Sequence, residues 1–495
     1  MVPLIFIGYY GEVGINIWEY QLTLAYIAIM YLYFSRKKNL NIKLRPEYKY
    51  LVSGLMVKII GGVIFSLIYF YYYQGGDTTS YFYSGVAMTR MLFIDPFEFI
   101  RQTIFGDNSL RALQTYTAQD VRPYAYMFRD THTFQVLRIV SWLALLTFNS
   151  YLISTLLLAS ISFLGIWLGY LTFVSYYPAI MNKLAIGFLF MPSAIFWGSG
   201  ILKDTLTFSA VCAWVHAVDE VFFKRRNTVS RGILLIVSAL VMIKVKPYIF
   251  MVMVPATLLW LLYMRVARIK NILVRFVVIP TTVAVLIIMS IAILARMQNL
   301  LGKFALDEAL VNIENIQTDM AHNDSYGDNK FDVGSFDGTW WGVVKKFPVA
   351  TNAVLFRPYL WESRSVVIGL SGLENLFVLG LTLYVLFKAG LRFSWRCITS
   401  IPLLLMSMSF ALLFAFVVGV TTANFGALVR FKIPMLPFYI CSLYIILYLA
   451  AERKRARSKG LRFNLADYRS GAPARTDTKR RGALPQVQRK RPMGR

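Results

Sequence analysis

The chain has 495 residues, of which 57% are hydrophobic, 16% aromatic and only 16% charged, against about 25% charged in soluble domains. That balance, with many apolar runs near membrane-spanning length, excludes a soluble enzyme, a disordered protein and a disulfide scaffold, and predicts a polytopic membrane protein. Lys and Arg outnumber Asp and Glu by 52 to 25, a formal net charge of +27, which in such a chain bears on topology and lipid contact rather than on nucleic acid.

Apolar runs predict eleven spans: 17–35, 51–73, 151–174, 183–199, 203–222, 231–246, 248–264, 274–296, 365–387, 397–420 and 431–451. Between them lie basic clusters: Arg36, Lys37, Lys38, Lys43, Arg45 and Lys49; Lys224, Arg225 and Arg226; Arg265, Arg268 and Lys270; Lys388, Arg392 and Arg396. These and the basic C-terminal tail share one face if the N-terminus is outside and the C-terminus cytoplasmic. A second crossing within 134–174 would put the Lys224 cluster outside. Phe134 to Phe148 is therefore read as a helix in the outer interface, with Arg138 and Trp142 at headgroup depth, ending at Asn149-Ser150. The fold expectation is all-α: a polytopic transmembrane helical bundle of about eleven spans, N-out/C-in, with interfacial helices and two long outer-face segments.

The first outer segment is 74–150. In the second, 297–364, Leu300, Leu301, Phe304, Leu310, Ile313 and Ile316 recur at helical spacing. A polar loop, His322 to Gly338, follows and reads as a mobile surface loop, with a lid as one hypothesis; its Asp324, Asp328, Asp332 and Asp337 are calcium-ligand candidates whose spacing matches no EF-hand pattern. Trp340 and Trp341 then restart an amphipathic piece suited to the interface. Residues 1–451 form the transmembrane domain. Residues 452–495 read as a disordered cytoplasmic tail with 15 bases and 3 acids, whose expected partner is anionic lipid, since no nucleic-acid-binding fold accompanies it. Cys212, Cys397 and Cys441 lie in apolar stretches and offer neither a disulfide framework nor metal-ligand spacing. No cleaved leader is expected, because Glu12 interrupts the apolar start and no basic region precedes it.

Charge is costly in lipid, so its placement carries information. Asp77 follows Gly75-Gly76 after the second span. Lys203 and Asp204 join the fourth and fifth spans, and Lys244 and Lys246 the sixth and seventh. Arg357, Glu362 and Arg364 precede the ninth; Asn424, Arg430 and Lys432 enter the eleventh. Taken singly, each has an ordinary reading: Lys244, Lys246 and Lys432 snorkel to headgroups, and Asp204 caps its helix with Lys203 as its partner. Together, charges at tight turns between spans must face a shared polar cavity. Such a cavity suits a phosphate-bearing lipid substrate. The bases Lys203, Lys244, Lys246, Arg357 and Arg430, with Glu362 and Asn424, would bind it and stabilise phosphate as a leaving group, while Asp77 or Asp204 accepts a proton from the attacking hydroxyl.

An acid early in a large first outer loop, followed by an interfacial helix, resembles the GT-C class of integral-membrane glycosyltransferases. Met191-Pro-Ser-Ala-Ile-Phe-Trp-Gly-Ser-Gly-Ile-Leu-Lys-Asp204 resembles a segment of a bacterial group among GT-C-like proteins and Wzy-type polysaccharide polymerases. Lys246-Pro-Tyr248, Phe356-Arg-Pro-Tyr-Leu-Trp-Glu362, Leu373-Glu-Asn375 and Asn424-Phe-Gly-Ala-Leu-Val-Arg430 look like its later signatures. The resemblance implies a multi-pass protein of the bacterial cytoplasmic (inner) membrane that uses a polyprenyl-phosphate-linked sugar and a saccharide or lipid acceptor to make cell-surface polysaccharide. By position in the first loop Asp77 inherits the role of base. The acidic loop follows the second span rather than the first, and no Asp-x-Asp stands beside Asp77, so no cofactor is expected and a divalent metal is left open. Asp130 and Asp204 are the candidates for a second acid; His132, beside Asp130, reads as a satisfied surface group. Joining of lipid-linked repeat units is the alternative within the same chemistry. A flippase or transporter is the alternative outside it, with Pro192, Pro255 and Pro280 as possible helix kinks, and a membrane scaffold is a third.

Overall fold

The computed structural model describes residues 6–10, 13–116, 122–266, 339–363 and 365–468, with the single positions 311, 331 and 334. The expected span 274–296, the helical repeat after residue 300, nearly all of the His322–Gly338 loop, Arg364 and the tail beyond residue 468 lie outside the described residues.

The described chain is overwhelmingly helical. A small antiparallel strand pair at the start departs from the all-α expectation: β1 (Phe6–Tyr10) and β2 (Val13–Asn16), with Tyr10 opposite Val13. Helix α1 (Ile17–Asn41) follows directly. Its Glu19 carboxylate accepts from the Asn16 backbone N–H at 3.1 Å and from Ser150 Oγ at 2.6 Å. Ser150 in turn caps a later helix, so one acid ties together two helix starts.

Helix α2 (Leu51–Leu67) continues through a wider turn to Tyr72. The first outer segment then folds as α3 (Asp77–Ile94), α4 (Pro96–Ile100), α5 (Leu110–Gln114), α6 (Ala125–Arg129) and α7 (Thr131–Leu146). Short polar side chains start these pieces: Asp95 accepts from the N–H groups of Phe97 and Glu98, and Asp130 accepts from that of Thr133. Phe148 and Asn149 take positive φ values of 54° and 56°, which separates α7 from α8 (Tyr151–Tyr176). Arg138, expected at headgroup depth, donates to the carbonyls of Thr103 and Ile104, both at 2.6 Å.

The order continues with α9 (Met181–Leu189), α10 (Pro192–Phe196), α11 (Lys203–Val218), α12 (Thr228–Val245) and α13 (Pro247–Val266). After the undescribed stretch come α14 (Trp340–Lys345), α15 (Phe347–Phe356), α16 (Val366–Ala389), α17 (Leu391–Ser400), α18 (Pro402–Val420), α19 (Phe425–Phe431) and α20 (Leu436–Ser458).

Among the described residues, seven helical stretches are long and apolar enough to cross a membrane: Pro46–Tyr72, Tyr151–Tyr176, Lys203–Lys224, Thr228–Val245, Val367–Ala389, Pro402–Val420 and Phe425–Ser458. Two expected spans are redrawn. The run 183–199 is not one helix: it breaks at Phe190-Met191, because Pro192 has no N–H to continue the ladder and pushes Met191 into extended backbone at φ −73°, ψ 123°. Likewise 397–420 begins at Pro402, and Ile401 before it is extended at φ −115°, ψ 114°; the residues ahead form α17. The helix α1 covers 17–35 but is not among the seven, and the apolar stretch Pro247–Tyr263 is shorter than they are.

Contacts sort the bundle into two ends. At one, Thr78 and Tyr151 hydroxyls meet at 3.0 Å beside the Glu19–Ser150 link. At the other, the Tyr176 phenol donates to Asp219 at 2.7 Å, Lys224 to Ser175 Oγ at 2.9 Å and Tyr263 to the Ser400 carbonyl at 3.1 Å. The basic clusters that end α1, follow α11, line α17 and end α20 all belong to this second end.

Candidate functional site

Two glycine turns bring the site together. Gln74, Gly75 and Gly76 take φ values of 52°, 149° and 123°, and a Cβ on Gly76 would stand 2.8 Å from the Tyr69 ring. Only glycine permits this reversal, which sets Asp77, the first residue of α3, back against the end of α2. The second turn, Gly198-Ser199-Gly200, lies against α2: a Cβ on Gly200 would stand 2.2 Å from the Phe65 ring. There the Lys58 amine donates to the Gly198 carbonyl and to Ser199 Oγ, and Thr205 Oγ1 to the Gly200 carbonyl at 2.6 Å. Helix α11 therefore starts with Asp204 aimed inward. Lys246 closes α12 just before Pro247. The Asn424 side chain caps α19 by accepting from the Ala427 N–H at 3.2 Å, and one short helix later the chain presents Arg430.

These four segments meet. Asp204 accepts from Lys246 Nζ at 2.5 Å and from Arg430 Nε at 2.7 Å, and Arg430 Nη1 donates to Asp77 at 2.7 Å. The Lys246 ammonium also lies over the Phe431 ring at 4.1 Å. Two acids and two bases make the set neutral, which is what allows charge to be buried at this depth. Its exposure is graded: the Asp204 side chain is 0% exposed and Asp77 46%. Asp77 is thus the accessible end of an otherwise enclosed network. Arg430 Nη2 makes no hydrogen bond among the described residues.

The remaining expected site residues lie around this set. Lys203 points away from its neighbour Asp204, donating to Thr133 Oγ1 at 2.7 Å and standing 3.6 Å from Asp130. Lys244 contributes its carbonyl, which accepts from His132 Nδ1 at 2.9 Å; His132 is buried rather than a surface group. Arg357 is not part of the four-residue set. It is held by Glu362 at 3.0–3.1 Å through Nε, and lies over the rings of Phe331 and Phe425 at 5.4 and 5.2 Å. Phe425 begins α19 and Arg430 lies in its last turn, so the two arginines sit at opposite ends of one short helix. Lys432 does not snorkel: it is fully buried, and its amine donates to the Val354 carbonyl at 3.3 Å and to the Asn375 side chain.

Sequence reasoning missed Tyr81 and the contacts of two other contributors, Lys58 and Glu374. Tyr81 sits one turn beyond Asp77 on the same face of α3 and is buried. Burial, and then the Asp77 carboxylate, push its phenol well above the ordinary range, so it remains a neutral hydroxyl; the i, i+4 spacing was the available signal. Lys58 was visible as a lysine inside an apolar span, but not its target. Glu374, buried in α16, accepts from the Ser193 N–H at 2.7 Å and Oγ at 2.5 Å, and so anchors the start of α10. A cavity of about 10 Å³ lies beside Lys58, lined otherwise by apolar groups including Phe163, Phe188 and Phe208.

The two carboxylates both face the Arg430 guanidinium rather than each other, and no three His, Cys, Asp or Glu side chains cluster to hold a metal ion among the described residues. Compared with protein-family models, curated proteins and solved structures, the chain matches none.

Proposed function

We propose that this protein is a membrane-embedded transferase, GT-C-like or of the polysaccharide-polymerase kind, that moves a saccharide from a polyprenyl-phosphate carrier to an acceptor at the outer face of a bacterial cytoplasmic membrane. The observation that carries the reading is the Asp77–Arg430–Asp204–Lys246 network: four distant segments fix one accessible carboxylate next to a guanidinium with an N–H to spare. In this scheme Asp77 accepts the proton of the acceptor hydroxyl as its oxygen bonds to the sugar carbon. The bond from that carbon to the carrier phosphate breaks, and the phosphate leaves with the electron pair toward Arg430 Nη2. Lys246 and Asp204 hold Arg430 in place; Arg357 and Glu362, at the other end of α19, border the saccharide or carrier. The placement of the basic clusters at the opposite end of the bundle supports an outer-facing site.

Addition of one sugar and joining of repeat units need the same parts. Deleting the protein and identifying the lipid-linked saccharide that accumulates tests both: a carrier lacking its last sugar fits a transferase, and stalled single repeats fit a polymerase. A flippase reading draws on a different observation, the crossing broken at Phe190-Met191 with the buried Lys58 amine bonded near its end. Intermediates trapped on the inner leaflet would favour it.

A further inference from the structure

Helix α17 (Leu391–Ser400) links two long apolar helices, α16 and α18, at the basic end of the bundle. Its inner side is fixed to the protein: Phe393, Ser394 and Cys397 are buried, Arg453 of α20 lies over the Phe393 ring at 4.7 Å, and the Phe393 and Phe463 rings are 6.1 Å apart. Its outer side is of two kinds. Leu391 is 73% exposed and Trp395, one turn on, 65%. Arg392 and Arg396, also exposed, form the adjoining strip, about 100° round the helix at 3.6 residues per turn. The end of α16 extends the pattern. Phe387 is exposed, and Lys388 lies 5.7 Å from the rings of Tyr384 and Phe387. Lys388 to Ser400 contains three bases and no acid.

Water is a poor home for a paired Leu and Trp, and hydrocarbon is a poor home for two guanidinium groups. The boundary between headgroups and acyl chains accepts both, side by side, in the order in which the helix presents them. The depth is set independently, because α17 begins and ends where two apolar helices end. Three positive charges in a stretch without an acid then select among lipids.

We infer that α17 lies in the membrane interface and that Arg392 and Arg396, with Lys388, hold the headgroup of an anionic phospholipid while Leu391 and Trp395 enter its acyl layer. This site is separate from the Asp77 network and stands whether or not glycosyl transfer is correct.

The test uses the full chain in phosphatidylcholine nanodiscs, with and without a minor fraction of phosphatidylglycerol. Brominated-chain lipid should quench a fluorescence component that Trp395→Phe removes. Native mass spectrometry should show retained phosphatidylglycerol falling roughly twenty-five-fold in Arg392→Gln/Arg396→Gln, at roughly fivefold per charge, with phosphatidylcholine unchanged. The control Arg111→Gln/Arg122→Gln removes the same charge from exposed positions in the 74–150 segment and should lower retention far less. Equal losses in both double variants overturn the proposal, as does unchanged phosphatidylglycerol retention. An unquenched Trp395 overturns it too, and would mean that a second copy or another protein covers this face.

Discussion

Arg430 and Asp77 lie 353 positions apart in sequence and 2.7 Å apart in space. The same guanidinium reaches Asp204 through its Nε, also at 2.7 Å. A planar fork can serve two carboxylates in two directions; an ammonium is a single point of charge. Arg430→Lys should therefore keep its membrane level but lose most product, on the order of tenfold or more. Arg430→Ala leaves the buried Asp204 with Lys246 alone and should destabilise the protein by about 3–5 kcal/mol, seen as loss of folded protein in the membrane. Full product from Arg430→Lys would rule out a guanidinium requirement.

The two carboxylates of the network should respond differently to removal of charge. Asp204→Asn strands Lys246 and part of Arg430 in an enclosed site, at about 3–5 kcal/mol, and the thermal midpoint in detergent should fall. Adding Lys246→Met should recover much of that loss, because the stranded ammonium goes with it. Asp77→Asn, at the exposed end, should change stability by no more than about 1 kcal/mol yet abolish product. On the proposed transferase reading, normal surface polysaccharide from Asp77→Asn would remove Asp77 from the chemistry.

Much of this site was legible from residue type and place. Asp77, Lys246 and Arg430 stood out as charges at the ends of apolar runs, and the requirement that they share a polar enclosure follows from the cost of charge in lipid. What could not be read was pairing. Lys203 and Asp204 are neighbours, yet helical geometry sends one to α7 and the other to α19. Arg357 looked equivalent to Arg430, but Glu362, five residues later, claims it locally. The helix breaks before Pro192 and Pro402 were legible in principle from the prolines, and Pro192 was read as a possible kink, yet the apolar runs carried both spans across them.

The turn before Asp204 offers a packing test. Gly200→Ala would place a methyl group 2.2 Å from the Phe65 ring, so α2 or the turn must shift and Asp204 with it. The expected cost is about 1–3 kcal/mol, with a loss of product. Phe65→Leu should partly restore Gly200→Ala while mildly harming the native chain, which a double-mutant cycle of thermal midpoints would reveal. Independent, additive effects would show that the contact does not hold the turn.

Acid should loosen the helical segment around α5. The Ser109 backbone N–H donates to the Asp107 carboxylate at 2.9 Å, and Arg101 approaches it at 3.0 Å. The Ser109 bond first, and the Arg101 charge after it, hold this carboxyl below its usual range. A folded-state value below the unfolded one stabilises fully above about pH 4 and is lost as pH falls through the folded value. Amide protection in α5 should therefore drop between pH 5 and pH 3, and Asp107→Asn should show low protection at both values. An unchanged pH response in that variant would assign the effect elsewhere.

The charge network also imposes an order on biogenesis. Lys246 emerges 42 residues after Asp204, whereas Arg430 emerges 226 residues after it. At about 5–20 residues per second, the acid meets its ammonium within roughly 2–8 seconds but waits roughly 10–45 seconds for its guanidinium. Over that interval the half-made bundle holds a lone ion pair in a cleft that its last helix has yet to seal. A ribosome stalled before residue 430 would leave the cleft open to chaperones and to the membrane proteases that recognise unfinished helices.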